Sequence, residues 1–283
     1  MEQRRAPVDS KVLITGLIRD GAHCIERDIE KLLDAAKIFK DVHVLIIESD
    51  SKDATLDQLA KLATHHPKVR YLALGQLKNS LPERTDRLAC CRNAYLTELR
   101  NNPLYTDVDY VIVADLDGMN DLLTSASLAS CWDVTEDWDV IAANQDGPYY
   151  DIWPLRHPDW SPDDCLALLA RLEPLFGHEL ARDIAVYARQ IRIPRNTPLI
   201  PVQSAFGGLA IYRRTALLSG RYAGCNEQGQ EVSEHVPLHQ QLVQAGHAIY
   251  INPKLINTGL TIHTRNKRTS KVIRNAIRTH FKR

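Results

Sequence analysis

The chain has 283 residues, enough to bury a full hydrophobic core in one large domain or two small ones. With 44% hydrophobic and 25% charged residues, it has the composition of a soluble globular protein, and no apolar stretch approaches the roughly 20 residues that a membrane-spanning helix needs. The N-terminal residues 1–10 lack the apolar segment of a signal peptide, and the six cysteines show no paired spacing. These features indicate reduced thiols and a cytoplasmic protein.

The formal net charge is zero, but the charge is unevenly distributed. Residues 265–283 carry eight Lys and Arg residues and no acidic residue. Apolar side chains recur there at helical spacing, which predicts a basic amphipathic tail. Such a helix either binds an anionic membrane surface, as a peripheral protein of the inner face would, or packs its apolar stripe on the body. No aromatic pattern accompanies the charge, so a nucleic-acid partner is not expected.

The first half of the chain alternates between strand and helix patterns. The predicted elements are a strand at 11–18, a helix at about 25–39, a strand at 42–47, a helix that follows Asp53, a strand at 69–74, a helix at 83–100 and a strand at 110–114. This alternation predicts an α/β fold with a mostly parallel sheet and helices on both faces.

Beyond a strand at 140–143 the pattern changes and prolines become frequent. The predicted elements are helices at 162–175, 178–190 and 234–245, and strands at 209–212 and 248–251, the last ended by Asn252 and Pro253. We expect residues 1–264 to form one domain on a single sheet. Residues 10–145 would be its nucleotide-binding half and residues 146–264 its acceptor and catalytic half, with a helical insertion.

Asp115 and Asp117 follow the apolar run 110–114 directly. A buried strand therefore brings two carboxylates, one residue apart, to the carboxyl edge of the sheet, where open α/β folds bind ligands. Residues two apart on a strand point the same way, so both could face one Mg²⁺ or Mn²⁺ ion bound to a diphosphate. The alternative is that they cap a loop or lie in a solvated turn.

Arg92 falls in the apolar stripe of the helix at 83–100, among Leu88, Leu96 and Leu99. A buried arginine needs an anion, which here is a ligand phosphate, an active-site carboxylate or a structural carboxylate in the core. Because Arg84 lies about two turns earlier, the pattern favours a phosphate or an active-site carboxylate.

The ends of the first two strands offer further contacts for a nucleotide. Gly16 permits close approach of the backbone, and Arg19 can reach a phosphate. Glu48 and Asp50 provide acceptors for ribose hydroxyls or base edges at the place where doubly wound sheets bind nucleotides. The other acidic residue of this segment, Asp53, is expected to cap the next helix.

The second half has its own candidates for binding and catalysis. Gly207 and Gly208 come before a strand, where a ligand or another chain segment must lie close. Glu234 and His235 begin a helix, either as ordinary helix-terminal residues or as the general base for an acceptor hydroxyl.

Two further features of this half remain. His263 follows a strand near the end of the fold and is either a surface histidine or a third metal ligand. The segment 149–153 with Arg156 and His157 forms an aromatic, charged loop, which either binds a sugar or packs internally.

Taken together, these residues resemble a nucleotide-sugar glycosyltransferase of the GT-A fold. The resemblance rests on the strand end at 48–55, the helix with Arg92 and Asn93, the pair Asp115 and Asp117, the turn 206–208 and the segment 234–238. It implies that Asp117 is the main ligand of Mn²⁺ or Mg²⁺, that Asp115 contacts the metal or the ribose, and that His263 is a weaker ligand. A carboxylate after the second strand would hold the nucleoside. There is also a loose similarity to capsule-type and mannan-type mannosyltransferases.

One departure concerns the base. Where inverting relatives often have Glu-Asp, this chain has Glu234 and His235. Either residue is the base, or the enzyme retains the sugar configuration and uses no such base.

The resemblance predicts a metal-dependent glycosyltransferase of polysaccharide biosynthesis. It would move a hexose from a GDP- or UDP-linked sugar to a hydroxyl of a glycan or a lipid-linked acceptor. One rival is a haloacid-dehalogenase-type phosphatase with Asp115 as nucleophile, but Met119 stands where that family has Thr. The only later Asp-Asp pair, Asp163 and Asp164, begins a helix. A second rival is a glycan- or lipid-binding module without catalytic activity.

Overall fold

A computed structural model describes residues 4–264. The strands are β1 (Lys11–Ile18), β2 (Asp41–Glu48), β3 (Val69–Ala73), β4 (Tyr110–Ala114), β5 (Val140–Gln145), β6 (Ile200–Pro201), β7 (Leu209–Arg213) and β8 (Ile249–Thr258). The α-helices are α1 (Ile25–Ala35), α2 (Thr55–His65), α3 (Arg84–Asn101), α4 (Ser125–Ala129), α5 (Cys165–Phe176), α6 (His178–Ala185), α7 (Arg214–Leu218) and α8 (His235–Gln244). The predicted basic tail, residues 265–283, lies outside the described residues.

All of these strands belong to one eight-stranded sheet with the order β3-β2-β1-β4-β7-β5-β8-β6. Both halves of the chain therefore share one sheet, as predicted. Strands β1 to β4 run parallel, whereas β7 is antiparallel to its neighbours β4 and β5. The start of β7 consequently lies at the same edge as the carboxyl end of β4, and this edge carries the candidate site.

Two hydrophobic clusters cover the two faces of the sheet. Alternate residues of β1 face opposite clusters: Leu13 packs with side chains of α3, and Val12 and Ile14 pack with side chains of α1. Since both faces are covered, the central strands are apolar throughout, and every residue of β4 is buried. The predicted α/β class is confirmed.

The end of the last strand was predicted wrongly. Asn252 and Pro253 were expected to end it, but β8 continues to Thr258. The pairing of β5 with β8 shifts register between Ala142 and Asn144, which places Pro253 in an irregular stretch. A proline is tolerated at such a bulge because no regular ladder hydrogen bond is lost there.

Smaller differences affect the helices. The helix predicted to reach residue 39 ends at Ala35 and continues as a short 3₁₀ turn, and the one predicted to reach residue 190 ends at Ala185. Helices α4 and α7 and the short strand β6 were not predicted. The six cysteines are free, as expected. None of the helices within residues 4–264 is long and apolar enough to cross a membrane.

Candidate active site

A cavity of about 640 Å³ lies at the carboxyl edge of the parallel strands. Residues of both halves of the chain line the cavity, which therefore lies where these two halves meet. From the first half come Arg19, Asp50, Arg84, Arg92, Asp115 and Asp117. From the second half come Asp151, Trp153, Glu234, His235 and His263.

Asp115 and Asp117 lie where the sequence predicts. The N–H of Asp115 donates a hydrogen bond to the carbonyl of Gly208 at 2.9 Å, which ties the end of β4 to the turn before β7. The side chain of Leu116 packs in the hydrophobic cluster that contains α1, and both flanking aspartates line the cavity. The alternation of side chains thus continues past the strand and brings both carboxylates to one side.

The electrostatics of this pair favour a cation. Burial raises the pKa of Asp115 well above its usual value, and the negative charge of Asp117 adds to this rise. Burial also raises the pKa of Asp117, with Asp28 adding to the effect and His263 opposing it. Neighbouring carboxylates repel each other, and a bound divalent cation relieves that repulsion.

The predicted set of three metal ligands is not assembled. Within residues 4–264 no three His, Cys, Asp or Glu side chains stand close enough together to hold a metal ion. His263 lines the cavity, but its exposed ring stacks on Tyr150 with the centroids 5.9 Å apart. Asp115 and Asp117 nevertheless suit Mg²⁺ or Mn²⁺, because these ions keep several coordination positions for water and phosphate oxygens.

Arg92 is buried and joins the two halves of the molecule. Its Nε donates to Glu234 Oε1 at 2.6 Å, and its Nη2 lies 3.9 Å from Asp115 Oδ1. Its guanidinium also lies over the rings of Phe206 and Tyr222, at 5.2 and 5.6 Å. Among the described residues, Nη1 is buried without a hydrogen-bond partner. The arginine therefore pairs with a cavity carboxylate, while its Nη1 is enclosed in the interior.

Glu234 and His235 are both buried at the start of α8. The carboxylate of Glu234 is held by Arg92. The ring of His235 stacks on Phe206 with centroids 4.0 Å apart, and neither ring nitrogen has a hydrogen-bond partner in the described part of the chain. Burial, together with the charges of Arg92 and His239, lowers the pKa of His235 well below its usual value. His235 is therefore a neutral imidazole.

Only some of the charged residues predicted to contact a nucleotide line the cavity. Arg19 and Arg84 line the cavity, and so does Asp50, which has a left-handed backbone with φ 63°. Glu48 does not line the cavity. Its Oε1 accepts the N–H of Ser51 at 2.9 Å. Glu48 thus closes the loop after β2, and its predicted contact with a nucleoside has no geometric support.

The three predicted glycines are explained by neighbouring chain segments. A Cβ on Gly16 would lie 2.4 Å from the carbonyl oxygen of Ala114, so this glycine lets β1 and β4 approach. Gly207 and Gly208 have φ of 70° and 80°, and added Cβ atoms would lie 2.5 Å from Ala143 O and 2.7 Å from the Tyr150 hydroxyl. None of the three lines the cavity, so a nucleotide contact has no geometric support, and for Gly207 and Gly208 the close neighbour is another chain segment, the alternative that the sequence left open.

Asp151 is the residue that the sequence interpretation missed. It lines the cavity, and its Oδ2 accepts the N–H of Gly207 at 2.8 Å. Burial raises its pKa to about 7, with Glu234 adding to the rise while Gly207 and Arg92 oppose it. An aspartate within the aromatic segment 149–153 was the available signal, but that segment was interpreted only as a sugar-binding loop.

The aromatic loop itself combines binding and structural residues. Trp153 lines the cavity, and its Nε1 is buried without a hydrogen-bond partner among residues 4–264. Arg156 instead pairs with Asp164 at 2.6 Å and does not line the cavity, so its predicted sugar contact has no support. Asp164 caps α5, and Asp163 pairs with Arg189. The Asp-Asp pair that was considered under the phosphatase hypothesis therefore has a structural role.

No protein-family model and no curated protein sequence matches this chain. Among solved structures, the chain is similar to a mannosyltransferase from Pyrobaculum calidifontis in complex with GDP-Man and Mn²⁺, with a TM-score of 0.51 and 13% identity. The match covers 97% of this chain and 65% of that one, so the chain spans about two thirds of the mannosyltransferase's length.

Two further structures are less similar. Residues 1–349 of S. aureus TarS match with a TM-score of 0.48 and 12% identity, over 85% of this chain and 57% of that one. A glucosyl-3-phosphoglycerate synthase from Mycobacterium tuberculosis with uridine diphosphate matches with a TM-score of 0.43 and 14% identity, over 93% and 75%. The assignment rests on the mannosyltransferase: this chain has the GT-A type of fold found in glycosyltransferases.

Proposed function

We propose that the protein is a metal-dependent glycosyltransferase that moves a hexose from a GDP- or UDP-linked sugar to a hydroxyl of a glycan or lipid-linked acceptor. The observation that carries this proposal is the pair Asp115 and Asp117 in a cavity of a GT-A fold, 3.9 Å from a buried arginine at its nearest approach. The similar mannosyltransferase structure contains a nucleotide sugar and Mn²⁺.

The donor side of the site is built for a diphosphate. Asp115 and Asp117 would hold Mn²⁺ or Mg²⁺, which neutralises the charge of a diphosphate leaving group. Arg92 lines the cavity with its Nη2 3.9 Å from Asp115 Oδ1, and Arg19 and Arg84 add positive charge at the cavity wall. These donors complement phosphate oxygens and stabilise negative charge as it develops.

The acceptor side is built by the second half of the chain. Residues 150–153 and Arg182 of helix α6 line the cavity together with the aspartate pair. The exposed ring face of an aromatic side chain such as Trp153 suits a sugar. If the reaction inverts the sugar, a base must deprotonate the acceptor hydroxyl, and Glu234, His235 and Asp151 are the candidates that line the cavity.

The basic segment 265–283 supports a peripheral location at an anionic membrane surface, on the cytoplasmic side. Replacing Lys271, Arg274 and Arg278 by Glu in the full chain should abolish sedimentation with vesicles that contain anionic lipid. Unchanged sedimentation would contradict this part of the proposal.

Release of nucleoside diphosphate from a panel of sugar nucleotides, with Mn²⁺ or with EDTA, tests the function. We expect release from one donor, stimulated by an acceptor and abolished by EDTA. Cleavage of phosphate monoesters without any such release would indicate the phosphatase. Binding of glycans without turnover of any donor would indicate the non-catalytic module.

A further inference from the structure

Three groups that line the cavity, Glu234, His235 and Asp151, compete for the role of base, and their surroundings differ. Glu234 forms a 2.6 Å ion pair with Arg92, and both partners are buried. A proton on Glu234 would leave the guanidinium of Arg92 without its main counter-charge in a desolvated place. Glu234 is therefore suited to fix Arg92, and its carboxylate is already engaged in that pair.

His235 is unsuited to act as the base because of the positive charge close to it. It is enclosed by Phe206 and Tyr222, whose ring centroids lie 4.0 and 5.6 Å away. A proton on its ring would add a second buried positive charge close to Arg92, which is why its pKa is lowered. A neutral imidazole in this place has little affinity for a proton.

Asp151 has neither restriction. Its only hydrogen bond within residues 4–264 is the one from Gly207 N–H to Oδ2, at 2.8 Å, so Oδ1 has no partner there. A proton on this carboxyl would remove a negative charge from a place close to Glu234 and Asp115, so protonation relieves repulsion. The N–H of Gly207 meanwhile fixes the orientation of the carboxyl group at the cavity wall.

We propose that Asp151 is the general base that deprotonates the acceptor hydroxyl, a proposal that rests on the glycosyltransferase function above. In the reaction, Oδ1 of Asp151 takes the proton of the acceptor hydroxyl. The acceptor oxygen forms a bond to the anomeric carbon of the donor sugar. The bond from that carbon to the diphosphate oxygen breaks, and its electron pair leaves with the nucleoside diphosphate. Asp151 then returns the proton to water.

The groups around Asp151 fix the direction of its pH dependence. Those whose charge interacts with it are Arg92, Asp115, Tyr149, Tyr150, Cys165 and Glu234. Burial and Glu234 raise the pKa of Asp151, whereas the Gly207 N–H and Arg92 lower it, and the result is about 7. The carboxylate form is populated above this pKa, so kcat/KM should fall as the pH decreases below about 7.

Asp151→Asn tests the assignment, because an amide oxygen can still accept the Gly207 N–H but cannot take a proton. We expect kcat to fall about a hundredfold or more, while the affinity for the nucleoside diphosphate with Mn²⁺ changes by no more than about twofold. Asp151→Glu restores a carboxylate, and we expect part of kcat to return with an altered acidic limb of the pH profile. Asp146→Asn, at an exposed position beyond β5, is the control and should keep full activity.

The outcomes separate the two proposals. An active wild-type protein whose Asp151→Asn variant keeps kcat within about threefold, or loses nucleotide affinity as strongly as kcat, overturns the role of Asp151 alone. A wild-type protein that turns over no sugar nucleotide removes the proposed function, and the base assignment falls with it.

Discussion

The two halves of the molecule bring functional side chains to the cavity in different ways. In residues 10–145, Asp115 directly follows β4 and Asp50 comes two residues after the end of β2, so the topology of the parallel sheet places them at one edge. In residues 146–264, Asp151 lies in a loop and is held by a hydrogen bond from Gly207, 56 residues away in sequence. The groups proposed to bind the donor are thus positioned by local order along the chain, and the groups proposed to act on the acceptor are positioned by long-range contacts.

Arg92 and Glu234 connect these two halves through one buried ion pair. The pair contributes to the cohesion of the fold and to the charge of the site at the same time. Variants that break this connection, or that alter one half alone, are the means to test the comparison.

The largest effect is expected from Arg92→Met. This substitution leaves the carboxylate of Glu234 buried without its partner, so the free energy of unfolding should decrease by about 3–5 kcal/mol. Urea denaturation measures it. The double variant Arg92→Met with Glu234→Gln removes the unpaired charge and should recover much of the loss. A single variant that unfolds at the same urea concentration as the wild type would contradict the coupling of the two halves.

Asp117→Ala should impair the transfer reaction through the first half of the chain without unfolding the protein. The variant loses one of the two proposed metal ligands, and we expect the rate of transfer to fall by about a hundredfold or more, measured as release of nucleoside diphosphate. Asp133→Ala removes an exposed aspartate distant from the cavity lining and serves as the matched control. Equal activity of both variants would remove Asp117 from the metal site.

Gly207→Ala perturbs the turn on which both halves depend. Gly207 has φ 70° and an added Cβ would lie 2.5 Å from Ala143 O, so strain and overlap act together. We expect the free energy of unfolding to decrease by about 2–3 kcal/mol, as measured by thermal unfolding. Gly246 has φ 89° but open space around it, so Gly246→Ala should cost only about 1 kcal/mol. Equal melting temperatures for the two variants would contradict the role of packing at Gly207.

Glu48→Gln should have the smallest effect. The amide oxygen of Gln can still accept the Ser51 N–H, and the side chain does not line the cavity. We expect nucleotide affinity in calorimetric titration to change by no more than about twofold. A much larger loss in a variant with normal stability would restore Glu48 as a nucleoside ligand.

The predictable part of the site follows from short-range patterns. Five buried residues before Asp115 identify a strand, and side-chain alternation then places Asp117 beside it. Arg92 was recognised because it interrupts an apolar helical stripe, which requires a buried anion. Both inferences use only neighbours in sequence.

The remainder depends on contacts that sequence order does not reveal. Asp151 belongs to no periodic element, and its elevated pKa results from burial and from Glu234, which is distant in sequence. Gly16 appeared to serve a nucleotide, but the carbonyl of Ala114 from a neighbouring strand occupies the space beside it. Pro253 predicted the end of a strand, but a bulge in the pairing of β5 with β8 accommodates it. The bulge is a property of strand pairing, which the order of residues in one strand does not reveal.

The most direct test of the central claim is calorimetric titration of the wild-type protein with GDP and with UDP, in Mn²⁺ and in EDTA. The aspartate pair should hold the cation against the diphosphate, so one of the two nucleotides should bind at least about tenfold more tightly with Mn²⁺. Binding of equal strength in Mn²⁺ and EDTA, or no binding of either nucleotide, would contradict a metal-dependent donor site.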